Sequence, residues 1–579
     1  MKPRPDIVPG EPVIFHSLAE MPPLPVSLAP TLNNKTGSWH YIRPFYEDKT
    51  PPCSHACPAG SDVVGYIGAL REGAPAAAWQ ILVAENPLPG VCGRVCPHPC
   101  ESACNRGDFG GSIAIHALER FLADEAAAHS WHPPLPQTRR PERIAIVGSG
   151  PAGLSCAYHL ARLGYQPTVF EAENNVGGML RYAIPTYRLP RAVVDREVAA
   201  IESLGVQFML NSRLGDSLSL RQLHEFAAVF LAPGQGLSHS LDIPGDASPG
   251  VTSGLAFLRR VATGQDAGIG RRVLVVGGGN TALDAARSAL RLGAGVTVLY
   301  RRTENQMPAI AEEVEEARAE GVRFRFLTAP LQVLSEGKQL TALRCCEMRL
   351  GDPDASGRAR PLPIPGTEFD LPADTVIAAT GQSLDVALLQ SAGLHIEHGH
   401  IVIDQASATA LPGVFAGGDA ATGAGTVAHA IGSGKRAALA IDAMLHTGQA
   451  GSFPPLDETV HAAARAASRV VVRAADINPD YIESLPRPTL PQRPIAERTG
   501  GFAEVNLGLT SEVAAQEAAR CISCGTCLSC DTCLIFCPDV AIARRPGGGY
   551  TIAYDYCKGC GVCAQECPRA ALSMEEEGQ

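Results

Sequence analysis

Two hydrophobic periodicities organise this sequence. From Asp62 to Asn86 the segments DVVGYIGALREG and PAAAWQILVAEN carry apolar residues at helical spacing, which predicts two helices joining cysteine-bearing loops. From Arg143 to about Met444 short apolar runs alternate with helical patterns, and such alternation predicts a doubly wound α/β architecture. RIAIV at Arg143 and VLVV at Val273 read as buried strands, each running through glycines into a helix. Near the C-terminus AIARRPGGGYTIAYDY reads as strand, glycine turn and strand. Three stretches lack periodicity: the Pro-rich first fifty residues, expected to form an extended arm; Pro133–Glu142, a linker; and about His446–Arg498, an extended connector.

The chain has 579 residues, of which 45% are hydrophobic and 18% charged, enough to build several cores and to exclude global disorder. Acidic residues outnumber basic ones by 59 to 48, so no cationic surplus is available for a phosphate backbone, and nucleic acid is not expected as a partner. No apolar run reads as a membrane span or signal segment, which predicts a cytoplasmic protein. In that reducing setting the 19 cysteines, six of them between Cys53 and Cys104, ten between Cys521 and Cys567 and only Cys156, Cys345 and Cys346 outside these groups, read as thiolates kept for metal or redox work rather than disulfides.

The first glycine loop is Gly148-Ser149-Gly150-Pro151-Ala152-Gly153. Gly148 permits the tight turn, Gly150 lets the backbone approach a pyrophosphate, and Gly153 allows helix and strand to pack closely, with the helix N-terminus stabilising phosphate charge. The next strand ends in Glu171, placed to bind a ribose diol. The second loop has Gly277 and Gly279, with Asn280, Thr281 and, at the third position, Ala282; its following strand ends in Arg301 and Arg302 instead of an acid. Guanidinium groups there can pair with a 2′-phosphate, which favours NADP over NAD. Two loops imply two dinucleotides. Gly178-Met179-Leu180, Thr380-Gly381, Gly418-Asp419 and Thr426-Val427 are spread as expected where one of them is FAD. Asp419 would accept from ribityl hydroxyls, and the amides of Thr426 and Val427 would stabilise reduced isoalloxazine.

Cysteine spacing carries the second chemistry. Cys527, Cys530, Cys533 and Cys537 precede Pro538, and Cys557, Cys560, Cys563 and Cys567 precede Pro568 with the same intervals. This is the two-cluster ferredoxin pattern, in which the fourth cysteine of each run serves the other cube. The expected 4Fe–4S ligand sets are Cys527, Cys530, Cys533, Cys567 and Cys557, Cys560, Cys563, Cys537. A further six cysteines, Cys53, Cys57, Cys92, Cys96, Cys100 and Cys104, lie near the N-terminus and do not make two complete sites.

The segments CGRVCPHPCESAC, GSGPAG, GGGNTALD and GGMLRYAIPTYRLP together resemble the small subunit of glutamate synthase and its relatives, including the N-terminal half of dihydropyrimidine dehydrogenase, from about Pro52 to Met444. The resemblance implies an N-terminal helical domain with two 4Fe–4S clusters, one held by Cys57, Cys96, Cys100 and the non-cysteine ligand Glu119. The relatives' EAxRCxxC segment is missing ahead of Cys53, but EAARCISCG occurs at Glu517–Gly525. Cys521 and Cys524 are therefore expected to complete a cluster with Cys53 and Cys104, either within the chain or from a partner subunit, leaving Cys92 as a spare thiol; the alternative is that this cluster is absent and Cys521 and Cys524 are not ligands.

The expected fold class is α/β: two interleaved Rossmann-like dinucleotide-binding domains, with an N-terminal helical Fe–S domain and a C-terminal α+β ferredoxin domain. The boundaries are an arm at 1–50, the helical domain at 51–140, an FAD domain at 141–265 and 385–445, an NAD(P) domain at 266–384, a linker at 446–510 and the ferredoxin domain at 511–579. The expected function is an oxidoreductase passing electrons between NAD(P)H and a protein redox partner through FAD and the clusters, with no residue assigned to covalent catalysis. The resemblance implies a 2-oxoacid oxidoreductase, a sulfite-reductase-type enzyme or ferredoxin as partner, and the connector could let a homodimer form. A non-catalytic redox scaffold and a thioredoxin-reductase-like enzyme are the alternatives, the latter opposed by the vicinal, strand-borne Cys345-Cys346 pair.

Overall fold

The computed structural model describes residues 16–17, 20, 35–353, 357–423, 425–447 and 470–577. It divides into a large unit, Pro52–Ala466 with Ser484–Cys521, and a small unit, Met1–Pro51 with Ala467–Glu483 and Ile522–Gln579.

The large unit holds two five-stranded parallel sheets. In the first the strand order is Val414–Ala416, Ala228–Leu231, Arg143–Val147, Gln166–Phe170, Gln207–Met209. In the second it is Arg323–Arg325, Gly295–Leu299, Arg272–Val276, Thr375–Ala378, Val251–Ser253. Four consecutive residues of Arg143–Val147 and of Arg272–Val276 are buried, as strands covered by helices on both faces require. The chain lays four strands of the first sheet, builds the second, and returns at Val414 to complete the first. The helix Val427–Thr447 then packs on the helix Pro151–Arg162 so closely that a Cβ at Gly434 would lie 2.1 Å from the carbonyl oxygen of Ala152.

One expected boundary moves. Val251–Ser253 and the helix Gly254–Ala262 belong with the second sheet, so that portion starts ahead of residue 266. A three-residue edge strand is too short to show periodicity.

The N-terminal part of this unit is helical. Pro52–Ala56, Val63–Arg71, Pro75–Glu85, Pro89–Val95, Pro99–Ser102 and Ile115–Ala128 follow one another, several with proline in the first turn. Asp62 caps its helix by accepting from the backbone N–H of Gly65 at 3.1 Å. The core gathers Tyr66, Ile67, Leu82, Leu118 and Leu122, and adds Ala514 and Ala518 from the helix Ser511–Ala519. Residues from 511 were expected in the ferredoxin domain; this helix instead completes the helical core, because its two alanines are small enough to be fully buried there.

The described part of the connector is held in place. Residues 448–469 lie outside the described residues. Farther on, Arg487 donates its backbone N–H to Gly110 at 2.9 Å and Val505 donates to Tyr187 at 2.9 Å, so this stretch, which includes the short helix Ile495–Arg498, is pinned by backbone hydrogen bonds. A Pro-rich segment has few donors of its own, and such pinning leaves no periodic trace.

In the small unit the hairpin Ile542–Arg544/Tyr550–Ile552 and an antiparallel pair, Ile42–Tyr46 with Leu572–Glu576, enclose a core of Cys533, Cys563, Cys567, Ile542, Tyr550 and Leu572. The expected arm thus contributes a strand: residues 42–46 pair with the end of the chain. Residues 470–483 join the same unit, with Tyr481 donating its hydroxyl to Glu566 at 2.6 Å.

Candidate functional site

The first glycine loop leaves the strand Arg143–Val147 and enters the helix Pro151–Arg162. A Cβ at Gly153 would lie 1.9 Å from the carbonyl oxygen of Gly148, so only glycine lets helix and strand approach here. At Gly150 a Cβ would meet nothing within 4 Å, and the neighbouring wall is Gly178, whose own Cβ would stand 3.0 Å from the Gly150 Cα. Gly418 closes the other side, with its Cβ position 3.0 Å from that of Ala152. Three segments far apart in sequence therefore meet in one cradle of bare backbone, which fits the pyrophosphate of a dinucleotide. Met179 and Leu180 open the short helix Met179–Tyr182 beside it.

Glu171 is buried, and its oxygens accept from the backbone N–H groups of Ser149 at 2.9 Å and Glu173 at 2.8 Å, and from the Ser149 hydroxyl. The carboxylate thereby braces the loop, a role the spacing did not reveal. Asp419 accepts from the Gly425 N–H at 3.2 Å, while burial pushes its carboxyl above the ordinary range. Thr426 and Val427 stand at the N-terminus of the 21-residue helix Val427–Thr447. Thr380 and Gly381, expected with the flavin segments, extend from the second sheet: a Cβ at Gly277 would lie 2.2 Å from the carbonyl oxygen of the preceding residue, Ala379.

In the second loop Gly279 faces open space apart from Pro308 at 3.9 Å, and Ala282 is fully buried at the place of the third glycine. Asn280 accepts from the backbone N–H of Ile310 at 3.0 Å, so its side chain fastens the loop instead of remaining open to a ligand. The Thr281 methyl packs toward Gly254. Arg301 is exposed; Arg302 is buried and donates to the Ala359 carbonyl at 2.9 Å. Both line a cavity of about 630 Å³ together with Asp352 and Arg360. Arg360 sits on a different strand, Ala359–Pro363, and no local motif announced it.

The thiols fall into groups. Cys57, Cys92 and Cys96 belong to the apolar cluster that also contains Ala152 and Leu154 of the first glycine-loop helix and Ala428 and Ile431 of the helix Val427–Thr447. Glu119 is buried among Cys57, Cys96 and Cys100, each of whose thiols burial raises, with the Glu119 charge adding to the effect. Burial pushes the Glu119 carboxyl itself up to about 8. Cys92, expected as a spare thiol, stands close to the same group. Cys53 and Cys100 lie in the helical core, with Cys104 and Cys521 packed against it. Cys524 is buried and belongs to the small unit. Beside these groups His98, Glu101 and His116 approach within 4.8 Å, but the histidine rings stack at 4.0 Å and Arg487 pairs with Glu101 at 2.6 Å, an arrangement that locks the loop rather than presenting a cation site.

In the small unit Cys567 acts electrostatically on Cys527 and Cys533, and Cys537 on Cys557 and Cys563, so each run's fourth cysteine is brought to the other run. The two runs also share a backbone. Ser529, Asp531 and Val540 adopt positive φ, as do Gly559, Gly561 and Ala570 at the matching places. A left-handed valine is costly, and its repetition by Ala570 marks a conformation that the shared cysteine geometry imposes. Backbone N–H groups reach Cys537 and Cys567 at 3.3 Å and Cys557 at 3.4 Å, the kind of contact that tunes iron–sulfur clusters. Cys345 and Cys346 are buried on the strand Gln339–Pro353, in the antiparallel sheet inserted into the second domain. Among the described residues, no helix is long and apolar enough to cross a membrane.

Comparison with known proteins agrees with this geometry. The family described as pyridine nucleotide-disulphide oxidoreductase matches residues 142–434, the dihydropyrimidine dehydrogenase domain II 4Fe–4S family matches 46–131, and a 4Fe–4S binding domain matches 550–573. The NADPH-Fe(3+) oxidoreductase subunit beta of Geobacter sulfurreducens is 39% identical over 517 residues, covering 83% of this chain and 76% of the relative. The NADP(+)-dependent formate dehydrogenase subunit beta of Moorella thermoacetica is 40% identical over 503 residues, covering 82% and 70%. The glutamate synthase (NADPH) small chain of Halomonas elongata is 36% identical over 408 residues, covering 67% and 86%. The chain belongs to the pyridine nucleotide-disulphide oxidoreductase family, as a glutamate synthase small chain-like iron–sulfur flavoprotein oxidoreductase that uses FAD, a nicotinamide dinucleotide and 4Fe–4S clusters.

Proposed function

We propose that this chain is the electron-transfer subunit of a larger complex, passing electrons between NADPH and a protein redox partner. One observation carries the reading: Cys57 and Cys96 share an apolar cluster with the helices that flank the first glycine cradle. A dinucleotide in that cradle and a metal cluster on those thiols would be neighbours, separated by packed side chains and not by water.

When bound, FAD takes up electrons in pairs and releases them singly, whereas iron–sulfur clusters carry one at a time. The chain's own residues hold and shield these groups. The bare backbone of Gly150, Gly178 and Gly418 admits phosphate, Asp419 is available to ribityl hydroxyls, and the N-terminus of the helix Val427–Thr447 supplies positive potential. Arg301, with Arg302 and Arg360, gives the second cavity cationic character suited to a 2′-phosphate. Cys57, Cys96, Cys100 and Glu119 would hold one N-terminal cluster. Cys53, Cys104 and Cys521 would serve another. Cys527, Cys530, Cys533 with Cys567, and Cys557, Cys560, Cys563 with Cys537, would hold the remaining two.

Two relatives carry the word subunit in their names, which supports an assembly. A 2-oxoacid oxidoreductase, a sulfite-reductase-type enzyme or ferredoxin is the class of partner suited to an exit through a ferredoxin-like unit. Iron content tests the ligand assignment: the Cys521→Ala variant should lose iron equivalent to one cluster from the anaerobically reconstituted chain, and iron equal to the parent's would remove Cys521 from the set.

A further inference from the structure

Tyr66, in the helix Val63–Arg71, is fully buried, yet among the described residues its hydroxyl makes no hydrogen bond of normal geometry. Leaving a buried hydroxyl unpaired is costly, and phenylalanine would fill the same space without that cost. The surroundings explain what the group is for. Tyr66 packs in the core that contains Cys53 and Cys100 and carries Cys104 and Cys521 at its margin. The Glu119 carboxyl lies within looser hydrogen-bonding reach of the hydroxyl, and Cys57, Cys100 and Cys53 stand close enough to act on it electrostatically. Its neighbours thus come from both proposed N-terminal ligand sets: Glu119, Cys57 and Cys100 from one, Cys53 from the other.

We propose that Tyr66 is a positioning residue between the two N-terminal clusters, which donates its hydroxyl hydrogen bond to the Glu119 carboxylate, holds that carboxylate as a ligand and sets the potential of the cluster it serves. The inference rests on the reading that Glu119 is a ligand. A donor drawing on an anionic ligand favours the more negative, reduced cluster, so removing it makes reduction harder. No proton or covalent bond changes hands; the hydroxyl keeps its hydrogen throughout.

The test uses the full chain, reconstituted anaerobically, with Tyr66→Phe and Glu119→Ala compared with the parent by iron content, melting temperature and redox titration followed by electron paramagnetic resonance. Tyr66→Phe should keep the parent's iron and melting temperature, shift the midpoint of one N-terminal cluster to more negative potential with altered g-values, and leave the ferredoxin-type signals in place. Glu119→Ala should lose or convert that same cluster. Unchanged midpoints in Tyr66→Phe, or a loss of iron there, would overturn the inference while Glu119→Ala still reports on the ligand. A Glu119→Ala chain with the parent's iron and spectrum would overturn the ligand reading and the inference with it.

Discussion

Arg188, from the loop after the first sheet's glycine-rich segment, donates from one Nη to both carboxylate oxygens of Asp284 at 2.9 Å, and so fastens the flavin portion of the chain to the helix of the second glycine loop. Both side chains are buried. Removing one partner of a buried pair typically costs about 3–5 kcal/mol because the other is left uncompensated. Arg188→Ala should therefore lower the melting temperature by several degrees and slow flavin bleaching by NADPH, while Arg188→Lys, which keeps the charge but loses the guanidinium geometry, should fall between. Equal melting curves would show that the pair does not join the two portions.

Arg301 and Arg302 look alike in sequence but differ in setting. Arg302 is engaged with the Ala359 carbonyl, whereas Arg301 is exposed at the same cavity. A charge-assisted hydrogen bond is worth about 1.5–3 kcal/mol, so Arg301→Ala should weaken NADPH binding about ten- to a hundredfold. NADH, lacking the 2′-phosphate, should be almost unaffected. Stopped-flow bleaching with each nucleotide measures the difference. Arg360→Ala should reproduce the selectivity change in weaker form.

A buried network holds the second glycine-loop helix against its neighbour: the Glu320 carboxylate accepts from Arg291 at 2.7 and 2.9 Å and from Arg287 at 2.9 and 2.6 Å. These partners hold Glu320 down at about 2 despite burial. Glu320→Gln should destabilise the chain by several kcal/mol, visible as a shifted denaturant midpoint, and should cost more than Glu304→Gln, whose pairing with Arg318 is exposed.

Glu197 gives the opposite sign. It accepts from the backbone N–H groups of Gly90 and Val91, yet burial pushes its carboxyl up to about 8. A folded value above the unfolded one means that folding favours the protonated acid. That contribution is complete below about pH 4.5 and disappears as the pH rises through about 8. Melting temperature should therefore fall more between pH 5 and pH 8.5 in the parent than in Glu197→Gln; parallel curves would contradict the assignment.

Sequence alone revealed whatever local chemistry demands. Gly148, Gly150 and Gly153 must be glycine because of contacts within their own strand–turn–helix, and the intervals in the two ferredoxin-type cysteine runs follow from wrapping one face of a cluster. Contacts set by distant segments left no such mark. Arg360 reaches the Arg301 cavity across a strand insertion, Ile42–Tyr46 finds its partner at the far end of the chain, and the helix Ser511–Ala519 packs where its two alanines fit, each by tertiary complementarity that no spacing encodes. Glu171 was legible as an acid at a strand end, but its bonds to Ser149 and Glu173 depend on how two loops meet.

Anaerobic titration of the reconstituted chain with NADPH, recording flavin absorbance and low-temperature electron paramagnetic resonance in the same samples, bears most directly on the conversion of paired to single electrons. Bleaching of the flavin should be accompanied by reduced 4Fe–4S signals, one electron at a time, with NADH far less effective. Flavin that bleaches while every cluster stays oxidised, even with excess NADPH and a low-potential mediator present, would contradict it.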